Sequence, residues 1–372
     1  MKNILKTTLV LLSVFALTSA NAGTLTVTGN AKASYSILSS DGAAAQSEVG
    51  KGIGISNEFT LGASGETDNG IAWKYAIDMD GAGATAADDQ QLVLTFPTLG
   101  AIGIYISEGA IDVDNSWDKS VYARPSDASF SPLKKDAFTI ASLNNLQYHT
   151  PAGLLPFGIA AKVAYAPNTD GTINDNNAEG AANPGSGGDT ATLVEAQTLT
   201  TGFQSASSVS STNMTAYQVT AAPIEGLAIG ASYETFGGGV KGRSQEPESG
   251  SWYATYAVGP ATIGYGKTYV AYEIVNTTAN GGAATLESSE NTNYSIAVAV
   301  NDNLSLSYTK EKSDLTAATS STVTYEQDMT GLQASYTMGG MTLSVAQISY
   351  DNAKYVNNAD VTSTIFGLAM AF

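Results

Sequence analysis

The sequence predicts an all-β protein, and more specifically an antiparallel up-and-down barrel that crosses a membrane. Apolar and polar residues alternate with a period of two in segment after segment, and the connections between segments are alternately short and long. Beyond residue 22, no stretch is long and apolar enough for a membrane helix. A sheet that crosses a membrane must close on itself, because hydrocarbon offers no partners to unpaired backbone groups.

The last segment of the chain shows the alternation clearly. Phe366, Leu368, Met370 and Phe372 fall at every second position and alternate with mostly small residues. Residues 25–37 repeat this pattern at the other end of the chain, with polar side chains on one face and apolar ones on the other. Since successive side chains of a strand point to opposite faces, each segment predicts a strand between lipid and water.

Counting such segments predicts sixteen strands. Tight turns follow the even-numbered strands, for example at residues 68–70 and 339–340, whereas longer polar connections such as 107–144 and 167–212 follow odd-numbered strands. Sixteen strands leave an aqueous channel inside a barrel. The inward phase supplies four candidates for the charged pore wall, which are Lys32, Lys74, Asp78 and Lys162.

Two further features concern the outside of the predicted barrel. Aromatic residues near strand ends predict interfacial girdles, and they include Tyr35, Trp73, Tyr165, Tyr308 and Tyr350. Tyr253 and Lys267 break the alternation, which indicates either a bulge or a face packed against another subunit.

Residues 1–22 predict a cleaved signal peptide, which leaves residues 23–372 as the barrel. Lys2 and Lys6 precede an apolar run, and Ala20 and Ala22 form a small-x-small cleavage site. An amino-terminal membrane anchor is the alternative. The net charge of −18 argues against nucleic acid as a partner, and the absence of cysteine excludes disulfides and thiolate metal sites.

The signal peptide, the strand rhythm and the terminal Phe372 together resemble the sixteen-stranded general-diffusion porins of Gram-negative bacteria. The resemblance implies a barrel in the cell outer membrane, with short periplasmic turns and long extracellular loops. It implies passive diffusion of small hydrophilic solutes and ions through a water-filled channel. It also implies a homotrimer in contact with outer-membrane lipid and lipopolysaccharide, and Phe372 as a signal for the barrel assembly machinery.

In that family the third extracellular loop folds into the barrel and narrows the pore. The third long connection here is 107–144, and it lacks the Pro-Glu-Phe signature of some relatives. Its charged residues are the candidates for the constriction: Glu108, Asp112, Asp114, Asp118, Lys119, Arg124 and Asp127. We expect its carboxylates to face the wall lysines and to favour cations. The alternative is that these acids are solvated, or bind divalent ions at the surface.

Other functions have weaker support in the sequence. A substrate-specific channel needs a run of inward aromatic residues, for which only Tyr122 and Phe130 of the loop are candidates. A secreted surface β protein without a pore is a further alternative. The one histidine, His149, falls beside a predicted turn without the partners of a catalytic site, so we expect no enzyme and no cofactor. Four residues, Asp170, Asn174, Asp175 and Asn177, offer a weak Ca²⁺ site without EF-hand spacing.

Overall fold

The protein is a closed β-barrel in a computed structural model. The structure describes residues 23–42, 49–80, 89–128, 136–167, 169, 203–204, 211–239, 243–272, 274–275, 284–318 and 323–372. The predicted signal peptide, the four candidate Ca²⁺ ligands and Phe130 lie outside these residues.

Sixteen strands pair with their neighbours in chain order, so the prediction of a sixteen-stranded antiparallel barrel is confirmed. Strands β1 to β16 are Thr24–Gly42, Gly50–Glu66, Ala72–Asp80, Asp89–Phe96, Gly100–Ile106, Asn145–His149, Ala160–Ala166, Ser211–Ile224, Leu227–Gly239, Glu248–Val258, Ala261–Ala271, Ala284–Ala299, Leu304–Ala318, Val323–Met338, Met341–Asp351 and Ala359–Ala371.

Three very short strands lie outside this ring. Phe203–Gln204 pairs in parallel with the start of β12, and Arg243–Gln245 pairs with Ile274–Val275. Within the described ranges, no helix is both long and apolar enough to cross a membrane.

The last strand closes the barrel on the first one. Residues 30 to 42 of β1 pair antiparallel with residues 371 to 359 of β16. Beyond the ladder, the Phe372 N–H donates to the Gly29 carbonyl at 3.0 Å, and the Gly29 N–H donates back to Phe372 at 2.9 Å. The ring of Phe372 lies 5.4 Å from that of Phe59 on β2. The chain terminus is therefore part of the seam, by which we mean the junction of β1 and β16.

The two faces of the strands have the predicted phase. Leu25 and Val27 of β1 point outward and are 74% and 57% exposed, and Phe366 of β16 is 50% exposed. Inward-pointing residues of the same strands include Lys32 and Ser363. An outer surface made of exposed large apolar side chains is stable against lipid but not against water.

Most connections alternate in length as predicted. The exceptions are β6 to β7, joined by residues 150–159, and β13 to β14, joined by residues 319–322. Tight turns join β8 to β9, β10 to β11 and β14 to β15 at one end, which we call the short-turn end. The opposite, long-loop end includes the connection between β5 and β6. We call residues 107–144 the inner loop, because its described residues pack against inward-pointing side chains of the wall.

Much of the inner wall is apolar where the inner loop covers it. Ile111, Phe138 and Ile140 of the loop share a buried cluster with Met214 and Phe236 of the wall. The rings of Phe138 and Phe236 meet edge to face at 5.0 Å. A second buried cluster includes Met329, Ile348 and Tyr350 of the wall. The part of the barrel interior that the inner loop covers is thus a packed core.

Two expectations for the outer wall are wrong. Tyr350 does not belong to an aromatic girdle, since it points inward, is fully buried and donates its hydroxyl to the Pro125 carbonyl of the inner loop at 2.8 Å. The predicted bulge at Tyr253 and Lys267 is also wrong, because β10 and β11 pair without interruption. Tyr253 points inward, while Lys267 points outward and forms an ion pair with Glu290.

Candidate functional site: the inner loop and its wall

The inner loop runs along the inside of the barrel from β8 to β15. The wall supplies side chains that bind its backbone: Gln218 binds Ile111, Ser232 binds Val113, Ser295 binds Trp117, Ser307 binds Val121, Gln333 binds Tyr122 and Ala123, and Tyr350 binds Pro125. Because the loop lacks a regular ladder of its own, these inward polar residues satisfy its backbone groups.

Glycines in the wall make room for the bulky side chains of the loop. A Cβ on Gly266 would lie 2.5 Å from Cδ1 of Trp117, and a Cβ on Gly367 would lie 2.3 Å from Cε2 of Tyr122. A Cβ on Gly331 would lie 3.1 Å from Cγ of Pro125, which is a looser fit. These glycines let the loop approach the sheet more closely than any other residue would allow.

Arg124 fastens the loop to the wall. Its Nε donates to Glu311 of β13 and its Nη2 to Asp136 of the loop, both at 2.8 Å. The Ser126 N–H also donates to Glu311, at 2.9 Å. Burial alone would lower the pKa of the Arg124 guanidinium, but Glu311 and Asp136 raise it overall, so this side chain stays charged.

Asp114 is buried beside this pair. One carboxylate oxygen accepts the Ala137 N–H at 3.1 Å. This bond joins the two legs of the loop, by which we mean residues 107–128 and residues 136–144. Burial, followed by the charges of Asp136 and Asp112, raises the pKa of Asp114 well above its ordinary range. Asp114 and Arg124 are only 4% and 5% exposed. Contrary to our expectation, these two side chains do not face a water passage but hold the loop in place.

The other constriction candidates are less buried. Glu108, Asp112, Asp118 and Lys119 are half-buried, and Asp127 is exposed. Asp118 accepts from the backbone and the hydroxyl of Ser120, and burial raises its pKa. Burial lowers the pKa of Lys119, whose ammonium donates to the Ser116 carbonyl at 3.0 Å.

The candidates on the wall do not all lie opposite the loop. Lys32 of β1 contacts the loop itself, with its ammonium 4.3 Å from the ring centre of Tyr122. Lys74 and Asp78 of β3 point into the barrel, the first exposed and the second half-buried. Lys162 of β7 is directly across the ladder from His149, which hydrogen-bonds to Gln147 at 2.8 Å.

Reasoning from the sequence missed the wall residues that receive the loop. Glu234 and Glu311 are fully buried carboxyls on β9 and β13, and neither was a candidate. Their sequence signal is weak, an acid in the inward phase of a strand. An inward neighbour of Glu234 on β9 is Ser232, and those of Glu311 on β13 are Thr309 and Ser313. Gly266 and Gly367 carry a similar signal, as inward glycines in otherwise well-formed strands.

A closed sixteen-stranded barrel with an apolar outside and a loop folded against its inner wall defines the outer-membrane porin class of folds. No family model matches the chain, and no curated protein matches it. Solved structures do match in fold, and several of them are porins.

OmpT with its loop L8 deleted, an outer membrane protein of Vibrio cholerae, matches with a TM-score of 0.60 and 12% identity over 95% of this chain and 100% of the other. The anion-selective porin from Comamonas acidovorans matches with a TM-score of 0.59 and 12% identity, over 94% of this chain and 100% of the other. OmpF of Salmonella typhi, in complex with daunomycin, matches with a TM-score of 0.55 and 13% identity, over 96% of this chain and 100% of the other. The chain therefore shares the porin fold along nearly its whole length, and the resemblance seen in the sequence is confirmed for the fold.

Proposed function

We propose that this protein is an outer-membrane porin, a water-filled channel for the passive diffusion of small hydrophilic solutes and ions. The main support for this proposal is that the closed wall is apolar on its outside and polar on its inside. Outward side chains such as Leu25 and Leu332 are large, apolar and exposed, whereas inward ones such as Ser56, Ser64 and Lys74 are polar and exposed. Exposed polar residues inside a closed barrel indicate water in the lumen.

The passage lies on the side of the barrel that the inner loop leaves uncovered. The loop binds inward residues of β8 to β15, and its Tyr122 ring contacts the ammonium of Lys32 on β1. Lys74, Glu58 and Ser64, on β2 and β3, are exposed inward residues outside that contact area. Solutes would pass between this wall and the loop, so the loop sets the width of the channel.

We further propose a preference for cations. Among the described loop residues that are not fully buried, the acids Glu108, Asp112, Asp118, Asp127 and Asp136 outnumber the base Lys119. Lys134 and Lys135 lie outside the described residues. Acidic groups around a narrow passage raise the local concentration of cations. The Comamonas porin with the same fold is anion-selective, so side chains rather than the fold determine the sign of selectivity.

A reversal-potential measurement in a salt gradient tests this preference. With purified protein in a planar bilayer, the potential should have the sign of cation selectivity. Changing Asp118→Asn and Asp127→Asn together should move it toward zero. Asp302→Asn, in an exposed turn at the short-turn end, is the control and should leave it unchanged. A wild-type potential of the opposite sign would overturn the cation preference, while the channel itself would stand.

The remaining parts of the proposal concern location and assembly. Residues 1–22 would be removed on export, and the barrel would sit in the outer membrane, in contact with lipid and lipopolysaccharide. Phe372 would serve the barrel assembly machinery, and three copies would associate. The trimer form of OmpT from Vibrio cholerae, which has a TM-score of 0.59 to this chain, supports this last point by fold alone.

A further inference from the structure

Both legs of the inner loop reach the wall on either side of one buried acid, Glu234 of β9. The Val113 N–H donates to Ser232 at 3.2 Å, and the Phe138 N–H donates to Ser249 at 3.0 Å. Ser249 in turn donates its hydroxyl to Oε2 of Glu234 at 2.7 Å. Glu234 thus accepts a bond from the serine that holds the second leg.

Among the described residues, none of the groups that act on Glu234 carries a positive charge. Its side chain is 0% exposed, and its Oε1 has no hydrogen-bond partner among the described residues. The neighbours across the ladder are Ala216 on β8 and Ser249 on β10. Ser232 and Asp112 are the other groups that act on it, and Asp112 also has a buried oxygen, Oδ2, without a partner in the described structure.

The acids of the loop continue this cluster. The charges of Asp112 and Asp136 act on the buried carboxyl of Asp114. Among the described residues, the base that acts on Asp114 is Arg124, which is already bound to Glu311 and Asp136. A buried carboxylate without a partner is costly, so Glu234 and Asp114 are more stable when they hold protons.

We propose that protonated Glu234 is a positioning residue that, together with Asp114, holds the inner loop against the wall. Loss of these protons places unpaired negative charges side by side and weakens the attachment of both legs. The link to channel width rests on the porin function proposed above, whereas the link to loop position does not.

The sign of the pH effect follows from Asp114. Its pKa is raised in the docked loop, so the docked state binds more protons than a released loop would. Docking is therefore strongest at low pH and weakens as the pH rises from the ordinary aspartate value of 3.8 toward the raised pKa. Arg124 and Glu311 still anchor the middle of the loop, so release is confined to the legs.

Trp117 provides a readout that does not depend on conduction. The chain has three tryptophans, so Trp73→Phe with Trp252→Phe leaves Trp117 as the only indole. Trp117 is buried in the loop and contacts the wall at Gly266. In detergent micelles, raising the pH from about 5 to about 9 should shift its emission to longer wavelength as the loop loosens.

Three variants in this background test Glu234. Glu234→Gln cannot ionise but keeps the hydrogen bond from Ser249, so it should move the emission step to higher pH or remove it. Glu234→Leu loses that bond and should give the long-wavelength emission at every pH. Asp302→Asn should keep the wild-type step. Emission that is independent of pH in the wild type, or the same step in Glu234→Gln as in the wild type, would overturn the proposal.

Single-channel conductance over the same pH range connects the loop to the passage. We expect the wild-type conductance to change with pH in parallel with the Trp117 emission, and Glu234→Gln to lose that dependence. An emission step without any channel would contradict the porin function alone. Channels with a pH-independent Trp117 emission would contradict the role of Glu234 alone.

Discussion

Tyr122 of the inner loop lies directly over Gly367 of β16, so closely that a Cβ on that glycine would be 2.3 Å from Cε2 of the tyrosine ring. The ring has a second contact, since the ammonium of Lys32 is 4.3 Å from its centre. Tyr122 thus contacts both seam strands, β1 and β16. This contact fixes how far the loop stands from the wall.

The first prediction concerns that glycine. Gly367→Ala should push Tyr122 and the loop away from the wall into the passage, because overpacking of this kind costs about 1–3 kcal/mol. Single-channel conductance should fall. Gly54→Ala is the matched control, since nothing lies within 4 Å of a Cβ there. Equal conductance in Gly367→Ala and Gly54→Ala would show that the contact does not set the passage width.

The second prediction concerns the buried ion pair. Arg124→Met leaves Glu311 and Asp136 without their cation, and breaking a buried pair by removing one partner costs about 3–5 kcal/mol. We expect a lower unfolding temperature in detergent. The double variant Arg124→Met with Glu311→Gln should recover part of the loss, because it removes the stranded charge. A double variant less stable than Arg124→Met would contradict this explanation.

The third prediction tests which face meets lipid. Leu332 of β14 points outward and is 61% exposed, and Leu99, in the turn after β4, is 67% exposed. Leu332→Arg should destabilise the folded protein in bilayers by about 2–4 kcal/mol if the residue lies near the membrane midplane. Leu99→Arg should have little effect. Folding equilibria in lipid vesicles measure both, and equal effects would argue against a lipid-facing wall.

The fourth prediction concerns the chain terminus. Phe372→Ala keeps the two backbone bonds to Gly29 but removes the ring that packs on Phe59, a contact worth about 1 kcal/mol. We expect the seam to open more readily, seen as a lower temperature for loss of the compact form on SDS gels. Met338→Ala, another exposed apolar residue at the short-turn end, is the control. A larger loss in Met338→Ala would count against a special role for the terminus.

The barrel could be predicted from the sequence because lipid and water impose a local pattern. Every strand must alternate along its own length, so Leu25, Val27 and Phe366 reveal their face without knowledge of any distant residue. The alternation of short and long connections likewise needs only neighbouring segments. These signals were enough for the strand count and for the closed topology.

The inner loop could not be predicted in the same detail, because its contacts are distant in sequence. Arg124 and Glu311 are 187 positions apart, and no local pattern pairs them. Tyr350 is a residue type expected in a girdle, but it points inward and binds Pro125 of the loop, 225 positions away. Charge alone suggested that Asp114 and Arg124 face water, whereas the packing of the loop buries both.

Single-channel recording of the purified protein in a planar bilayer tests the central claim most directly. A barrel with a continuous aqueous lumen should insert in discrete steps, and the step conductance should rise in proportion to the conductivity of the salt solution. A protein that remains monodisperse in buffer without detergent, and that produces no steps at any salt concentration, would contradict the porin assignment.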